Sequence, residues 1–246
     1  MLILAIDTST PCGSVAVLRD GKTIALVSSW TDEEYSSRIF RHVEMALEEA
    51  GASLEQFDLF AVTTGPGSFT GLRVGLAAVK GWAEVCGKPI AGVSALEAIA
   101  LQSRAAEGVP LVPMLDARRR EVYFTIYRRK RENGAMALER EGEIFVAAPN
   151  DFLDMVQSSL ETRAAGDREF AIVTPAPEAI AGELRERNRI RGDEKQIALE
   201  SVQAVLAPLV GEIAWRRAQA GELADALTLD ADYVRRTDAE LKWKDK

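Results

Sequence analysis

The sequence predicts an α/β protein of two lobes built as a duplication, and three observations carry that expectation. Its 246 residues, 47% hydrophobic and 28% charged, exceed one minimal module and can bury a sizeable core. A short apolar run ending in aspartate, followed by strand, turn and strand, begins at Leu2 and begins again at Leu111, 109 positions later. Between the two openings stand a strand, a glycine-rich loop, a helix and a returning strand, the order of a βαβ unit. The expected lobes are residues 1–108 and 109–246, with the tail from about residue 228 a candidate to pack back on the first lobe.

Each element has a local reason. Leu2 to Ile6 is an apolar run suited to a buried strand, and Asp7 to Gly13 follows with turn-forming residues. Ser14 to Leu18 and Thr23 to Val27 read as strands joined by Asp20-Gly21, the dipeptide that supplies positive φ in a two-residue hairpin. Ile39, Phe40, Val43, Ala46, Leu47 and Ala50 recur at helical spacing, with Ser36 or Ser37 as expected cap and Gly51 as expected stop. Leu59 to Val62 runs as a strand into Gly65-Pro66-Gly67-Ser68-Phe69-Thr70-Gly71, and Leu72 to Val85 continues as a helix. Pro89 to Val93 is the returning strand, and Ser94 with Glu97 reads as a capping box opening another helix. In the second lobe, strands are expected at Leu111–Asp116, Glu121–Arg128 and Ala135–Glu139, with a polar turn at Arg131–Gly134. Helices are expected at Asp151–Ser159, at Ala176–Arg187 and within Ser201–Ala220, all assigned to that lobe, with Tyr233 and Trp243 as docking aromatics in the tail.

Composition excludes several classes. Lys and Arg number 30 against 38 Asp and Glu, a net charge of −8, so the average surface repels polyanions and any nucleic-acid contact must be local or supplied by a partner. Two cysteines, Cys12 and Cys86, suit neither a disulfide framework nor a cysteine-rich zinc site, and a reducing cytoplasm fits them. No stretch approaches the roughly 18 uninterrupted apolar residues of a membrane span, so a cytoplasmic protein without an anchor is expected. His42 is the only histidine: a Ser-His-Asp triad would have to use it, and a paired-imidazole metal site cannot form.

Two segments could carry chemistry. Asp7, Thr8 and Ser9 at a strand terminus, with Gly65, Gly67, Ser68, Thr70 and Gly71 leading into a helix N-terminus, form a candidate nucleotide or phosphate loop. The same residues equally suit a tight turn that packs the helix onto the sheet. The loop is not a P-loop, because Leu72-Arg73 follows Gly71 where Lys-Ser/Thr is required. Asp116-Ala117-Arg118-Arg119-Arg120 stands where a duplicated fold would place a second phosphate loop, but it lacks glycine and reads as a salt-bridged turn.

Taken together, Leu4 to Ser9, Gly65 to Leu76, Ala78 to Gly81, Gly92 to Glu97, Asp116 to Arg119 and Tyr233-Val234-Arg235 resemble the TsaB family, subunits of the bacterial machinery that makes threonylcarbamoyladenosine in tRNA. The resemblance implies an actin-like (ASKHA) fold of two ribonuclease-H-like lobes. It also implies a non-catalytic role. The related catalytic subunit, TsaD, carries a metal-binding His-Leu-Glu-Gly-His segment after its Gly-Val strand, and here that stretch reads Ala95-Leu96-Glu97-Ala98-Ile99. No catalytic residue and no metal ligand is therefore expected, and no cofactor is required, although ATP or ADP at a subunit boundary fits the fold. The implied partners are TsaD and the ATPase TsaE, with a homodimer when the chain is alone and tRNA reached only through the complex. Docking is implied through the first lobe's helices, with Ile39, Phe40, Val43, Leu47, Arg73, Leu76 and Lys80 as candidate interface residues. Family members commonly begin the first helix with His-Ser, whereas this chain has Tyr35-Ser36, so no role of that histidine carries over. A free-standing ATPase or small-molecule kinase is the alternative reading, and a peptidase lacks a hydrolytic centre.

Overall fold

The structure, a computed structural model, describes residues 1–31, 33–132, 135–163, 169–191, 197–223, 229–232 and 234. It divides into two compact units: Met1–Gln102 with Val202–Ala231, and a second whose body is Ser103–Ser201.

The first unit is built on strands β1 (Leu2–Asp7), β2 (Cys12–Arg19), β3 (Lys22–Trp30), β4 (Leu59–Gly65) and β5 (Ile90–Ser94) in the order β3-β2-β1-β4-β5. The first three are antiparallel, and β4 and β5 run parallel to β1. Asp20 (φ 51°) and Gly21 (φ 76°) make the hairpin turn in the left-handed region, as that dipeptide predicts. Helices α1 (Tyr35–Ala50) and α2 (Phe69–Cys86) close one face over Leu4, Ile6, Val15, Val17, Phe60 and Val62. Gly51 stops α1 in the left-handed conformation. The start differs from expectation: the N-cap is Glu34, with no side-chain cap, and neither Ser36 nor Ser37 caps. Tyr35 is anchored instead by its hydroxyl, which donates to the Thr10 carbonyl, so the helix begins earlier.

The other face belongs to α3 (Ala95–Leu101) and α6 (Ala207–Ala220). Helix α6 was expected in the second lobe and lies in the first unit. Gly211 sits hard against Leu18, where any Cβ would overlap, and the Ala207 amide donates to Ser14 Oγ at 3.1 Å. Leu229 and Ala231 pack against this unit's core, whereas Tyr233, Arg235 and Trp243 lie outside the described residues. Glu97 does not close a capping box on Ser94. Its carboxylate accepts from Arg217 of α6 at 2.6 Å, and Ser94 makes no side-chain cap.

The second unit repeats the plan. Strands β6 (Leu111–Asp116), β7 (Val122–Phe124), β10 (Phe145–Ala147), β11 (Ala171–Thr174) and β12 (Ala198–Ser201) follow the order β10-β7-β6-β11-β12, antiparallel on one side of β6 and parallel on the other. Helices α4 (Pro149–Arg163) and α5 (Ala181–Arg191) contribute Phe152, Val156 and Leu184 to its core. The added piece is a hairpin of β8 (Tyr127–Glu132) and β9 (Ala135–Arg140), whose tip at 133–134 lies outside the described residues. The single strand expected at Glu121–Arg128 is two, β7 and β8. The chain breaks at Thr125-Ile126, where Thr125 Oγ1 donates to the Glu143 carbonyl at 2.9 Å and the Glu141 amide to the Ile126 carbonyl at 2.7 Å.

Between β6 and β7 the loop is unusual. Arg118, Arg119 and Arg120 have φ of 62°, 56° and 59°, a conformation costing a non-glycine residue roughly 1–2 kcal/mol each. Two backbone bonds close it, Ala117 N–H to the Glu121 carbonyl at 2.9 Å and Glu121 N–H to the Arg118 carbonyl at 3.0 Å. Asp116 Oδ1 accepts from the Arg118 amide at 2.8 Å.

Candidate functional site

The turn after β1 is sealed rather than open. Asp7 is fully buried, and its Oδ1 accepts from the Ser9 amide at 3.0 Å, Ser9 Oγ at 2.6 Å and Thr63 Oγ1 at 2.8 Å. Oδ2 is buried without a partner. Burial pushes the Asp7 carboxyl above its ordinary range, opposed by the bonds from Ser9 and Thr63.

The glycine loop lies against this turn. A Cβ on Gly67 would overlap the Ser9 carbonyl, one on Gly71 the Thr8 carbonyl, and one on Gly75 Thr8 Oγ1. Three amides of the loop are already committed. Ser68 N–H donates to the Ser9 carbonyl at 2.7 Å, Gly71 N–H to Ser68 Oγ at 3.2 Å and Leu72 N–H to the Ser68 carbonyl at 2.8 Å. Asp7, Thr8, Ser9, Gly67, Ser68 and Gly71 are therefore brought together, and packing accounts for the glycines; Gly65 (φ 127°) is the end of β4, and Thr70 is exposed in the first turn of α2.

Of the residues that complete this cluster, Arg38 was not singled out by sequence, and Tyr35 and His42 were noted without this role. Tyr35 packs against Gly13 and Gly71, and Arg38, 1% exposed, stacks its guanidinium 4.0 Å over the Tyr35 ring. Arg38 donates to the Ser29 carbonyl at 3.1 Å, Ser29 Oγ at 2.9 Å and the Pro11 carbonyl at 3.1 Å. His42 Nε2 lies 3.2 Å from Ser29 Oγ. Ser29 Oγ also accepts from Arg38, and the Ser29–His42 pair is a buried brace between α1 and β3. Burial, then the charges of Arg38 and Arg41, hold His42 below the usual imidazole range, opposed by Glu33. Burial, then the Asp7 charge, raises the Tyr35 hydroxyl. Two polar residues, Arg38 and His42, on the apolar stripe of α1 were the available signal.

A second feature is open. Phe40, Val43 and Leu47 of α1, Ala52 and Leu54 beyond it and Trp82 of α2 line a groove of about 750 Å³, with Glu44 and Glu48 also on its wall. Phe40 is 60% exposed and meets Trp82 edge-on, ring centroids 6.0 Å apart. Of the seven expected interface residues, Ile39, Val43 and Leu76 are in the core, because the helical stripe faces the sheet. Phe40 and Arg73 are exposed, Leu47 and Lys80 half-buried, and Arg73 stacks 3.7 Å over Phe69. On α3, Ala95 and Ile99 are fully buried. Among the described residues no group of three His, Cys, Asp or Glu is placed to hold a metal.

The family model described as TsaD, tRNA N6-adenosine threonylcarbamoyltransferase, matches residues 27–209. The tRNA threonylcarbamoyladenosine biosynthesis protein TsaB of Bacillus subtilis is 28% identical over 254 residues, 99% of this chain and 98% of that one. The chain belongs to the TsaD family, in its TsaB group. The TsaB of Escherichia coli is 39% identical over 135 residues, 54% of this chain and 58% of that one. The solved structure of YeaZ from Pseudomonas aeruginosa superposes on this TsaB-group chain with TM-score 0.68 at 25% identity, covering 94% of this chain and 99% of that one. The two repeated sheets are those of the actin-like (ASKHA) class.

Proposed function

We propose that the chain acts in tRNA threonylcarbamoyladenosine biosynthesis in the cytoplasm, as the non-catalytic subunit that binds and activates TsaD together with TsaE. The observation carrying this reading is α3: at the two positions where the resemblance aligns the catalytic relative's metal-binding pair stand a methyl and a branched alkyl group, both at 0% exposure. A helix face with neither donors nor access supports a scaffold. The Asp7 turn adds to this, since its Thr8 and Ser9 amides are bonded to Thr63 and Asp7 rather than open to a phosphate, which supports placing any nucleotide at the boundary with a partner.

The docking surface is the groove between α1 and α2, used by TsaD in the complex and by a second copy when the chain is alone. Phe40 and Trp82 are the anchors, Leu47 extends the apolar floor, and Arg73 and Lys80 stand on the same helix as Trp82. An aromatic pair of one exposed and one half-buried ring beside a groove suits an energetic centre, worth about 2 kcal/mol or more on truncation. Size-exclusion chromatography with the cognate TsaD tests this. Phe40→Asp, folded by circular dichroism, is expected to weaken co-elution by about thirtyfold. Full co-elution of a folded Phe40→Asp variant removes this groove from the interface. Titration of the isolated chain with Mg-ATP tests the role itself: low-micromolar binding with turnover would make it an ATPase instead.

A further inference from the structure

The β6–β7 loop sets three arginines at a hairpin tip in a protein of net charge −8. A second cationic run of this unit, Arg128 to Lys130, is spent internally. Arg128 pairs with Glu141 at 2.7 Å, Lys130 pairs with Glu139, and Arg129 donates to the Ala105 carbonyl at 2.5 Å and to that of Ser103. The tip differs. Arg118, Arg119 and Arg120 are all exposed, and the side chains of Arg118 and Arg120 make no hydrogen bond or ion pair among the described residues. The expected salt-bridged turn is thus not what these two residues form. Asp116 Oδ1 is occupied by the loop's own backbone. Three guanidinium groups against two flanking carboxylates, Asp116 and Glu121, leave the tip positive.

The backbone sharpens the point. Glycine or asparagine would occupy the left-handed region more readily, and arginine is a poor choice for conformation alone. Successive left-handed residues turn by about 100° each, so the side chains fan apart instead of forming one fork. A fan of cations on a short, doubly bonded loop suits phosphates spaced along a strand better than one bidentate anion.

We infer that the Arg118–Arg120 tip is a contact for the phosphate backbone of RNA. This deepens the proposed function, on which the choice of tRNA as the RNA rests, by giving the chain a direct contact where only an indirect one was expected. Its chemistry is local and does not depend on the groove between α1 and α2.

The test uses the full chain, alone and with TsaD, and unmodified tRNA, with affinity followed by fluorescence anisotropy against salt. The double variant Arg118→Gln, Arg120→Gln is expected to bind at least about fivefold more weakly. Its slope of log affinity against log salt is expected to fall by roughly 1.8, about 0.9 for each charge on duplex RNA read as on duplex DNA. Arg118→Gly, Arg120→Gly is expected to lose the same slope while its melting temperature rises, separating charge from backbone strain. An unchanged slope in both variants, or no arginine-dependent tRNA binding in either the chain or the complex, overturns the inference. Loss of TsaD co-elution with the tRNA slope intact also overturns it, making the tip a protein contact. If the chain alone binds tRNA through these arginines yet never associates with TsaD, the scaffold reading fails and this contact stands.

Discussion

His42 shows how far one side chain is set by its neighbours. It is buried beside Arg38 and bonded to Ser29, and its folded pKa lies below the ordinary 6.5. The unfolded chain therefore takes up a proton first as pH falls. Stability supplied by the neutral imidazole is complete above about pH 6.5 and is lost as pH drops towards the lower folded value. Thermal unfolding at pH 7.5 and pH 5 should show a larger loss in the natural chain than in His42→Gln. At pH 7.5 that variant should cost about 1 kcal/mol, the worth of a buried hydrogen bond. An equal loss in both would mean that His42 does not titrate in this window. Asp7 has the opposite sense: its raised carboxyl favours the folded state at low pH and opposes it as pH rises through the folded pKa. The sequence displayed Asp7 because it ends an apolar run. Arg38 was hidden, since a cation on an apolar stripe has no visible reason until Ser29 and Pro11 offer their carbonyls.

Helix α2 carries two kinds of glycine. Gly71 and Gly75 face Thr8, where a Cβ has no room, whereas a Cβ on Gly81 meets nothing within 4 Å. Gly71→Ala or Gly75→Ala should destabilise by about 1–3 kcal/mol through forced displacement of the helix. Gly81→Ala should stabilise by about 0.4–1 kcal/mol by restricting the unfolded chain. Urea denaturation reads both, and effects of the same sign would deny that α2 is seated on the Thr8 turn. The glycine loop was legible because its composition is unusual at every position. Caps were less so, because a hydroxyl at the right spacing competes with tertiary partners: Glu97 goes to Arg217 and Tyr35 to Thr10. Strand β3 adds a feature invisible to periodicity. It is a nine-residue edge, the kind that invites pairing. Val17 opposes Ala25 and Leu18 opposes Thr23, so Ile24 is an inserted residue that bends the edge, while Arg38 covers the Ser29 carbonyl.

At the scale of the molecule, the duplication was readable and the ownership of the last helix was not. Two strand orders of one kind follow from the repeated β-Asp-turn-β opening, but the apolar period of α6 says only that it packs, not on which sheet. The structure gives it to the first unit, where Ala207, Val210, Gly211 and Ala214 are buried. Register identifies what it covers. Leu18 and Ser14 touch α6, and residues directly opposed across the sheet share their face: Ile3, Ala5, Ala16, Leu59 and Ala61, all fully buried. A chain ending at Gly108 keeps α3 over β4 and β5 but leaves the part of that face on β1 and β2 bare in water. At about 25 cal/mol per Å² of apolar surface, every ~200 Å² left uncovered forfeits about 5 kcal/mol, comparable to the lower end of the 5–15 kcal/mol that holds a domain together. The fragment 1–108 is expected to lack a cooperative urea transition and near-ultraviolet dichroism, and joining 202–231 to it through a flexible linker is expected to restore both. A sharp transition in the fragment alone would show that α6 is dispensable to the sheet and return the lobe boundary to the place suggested by the chain order.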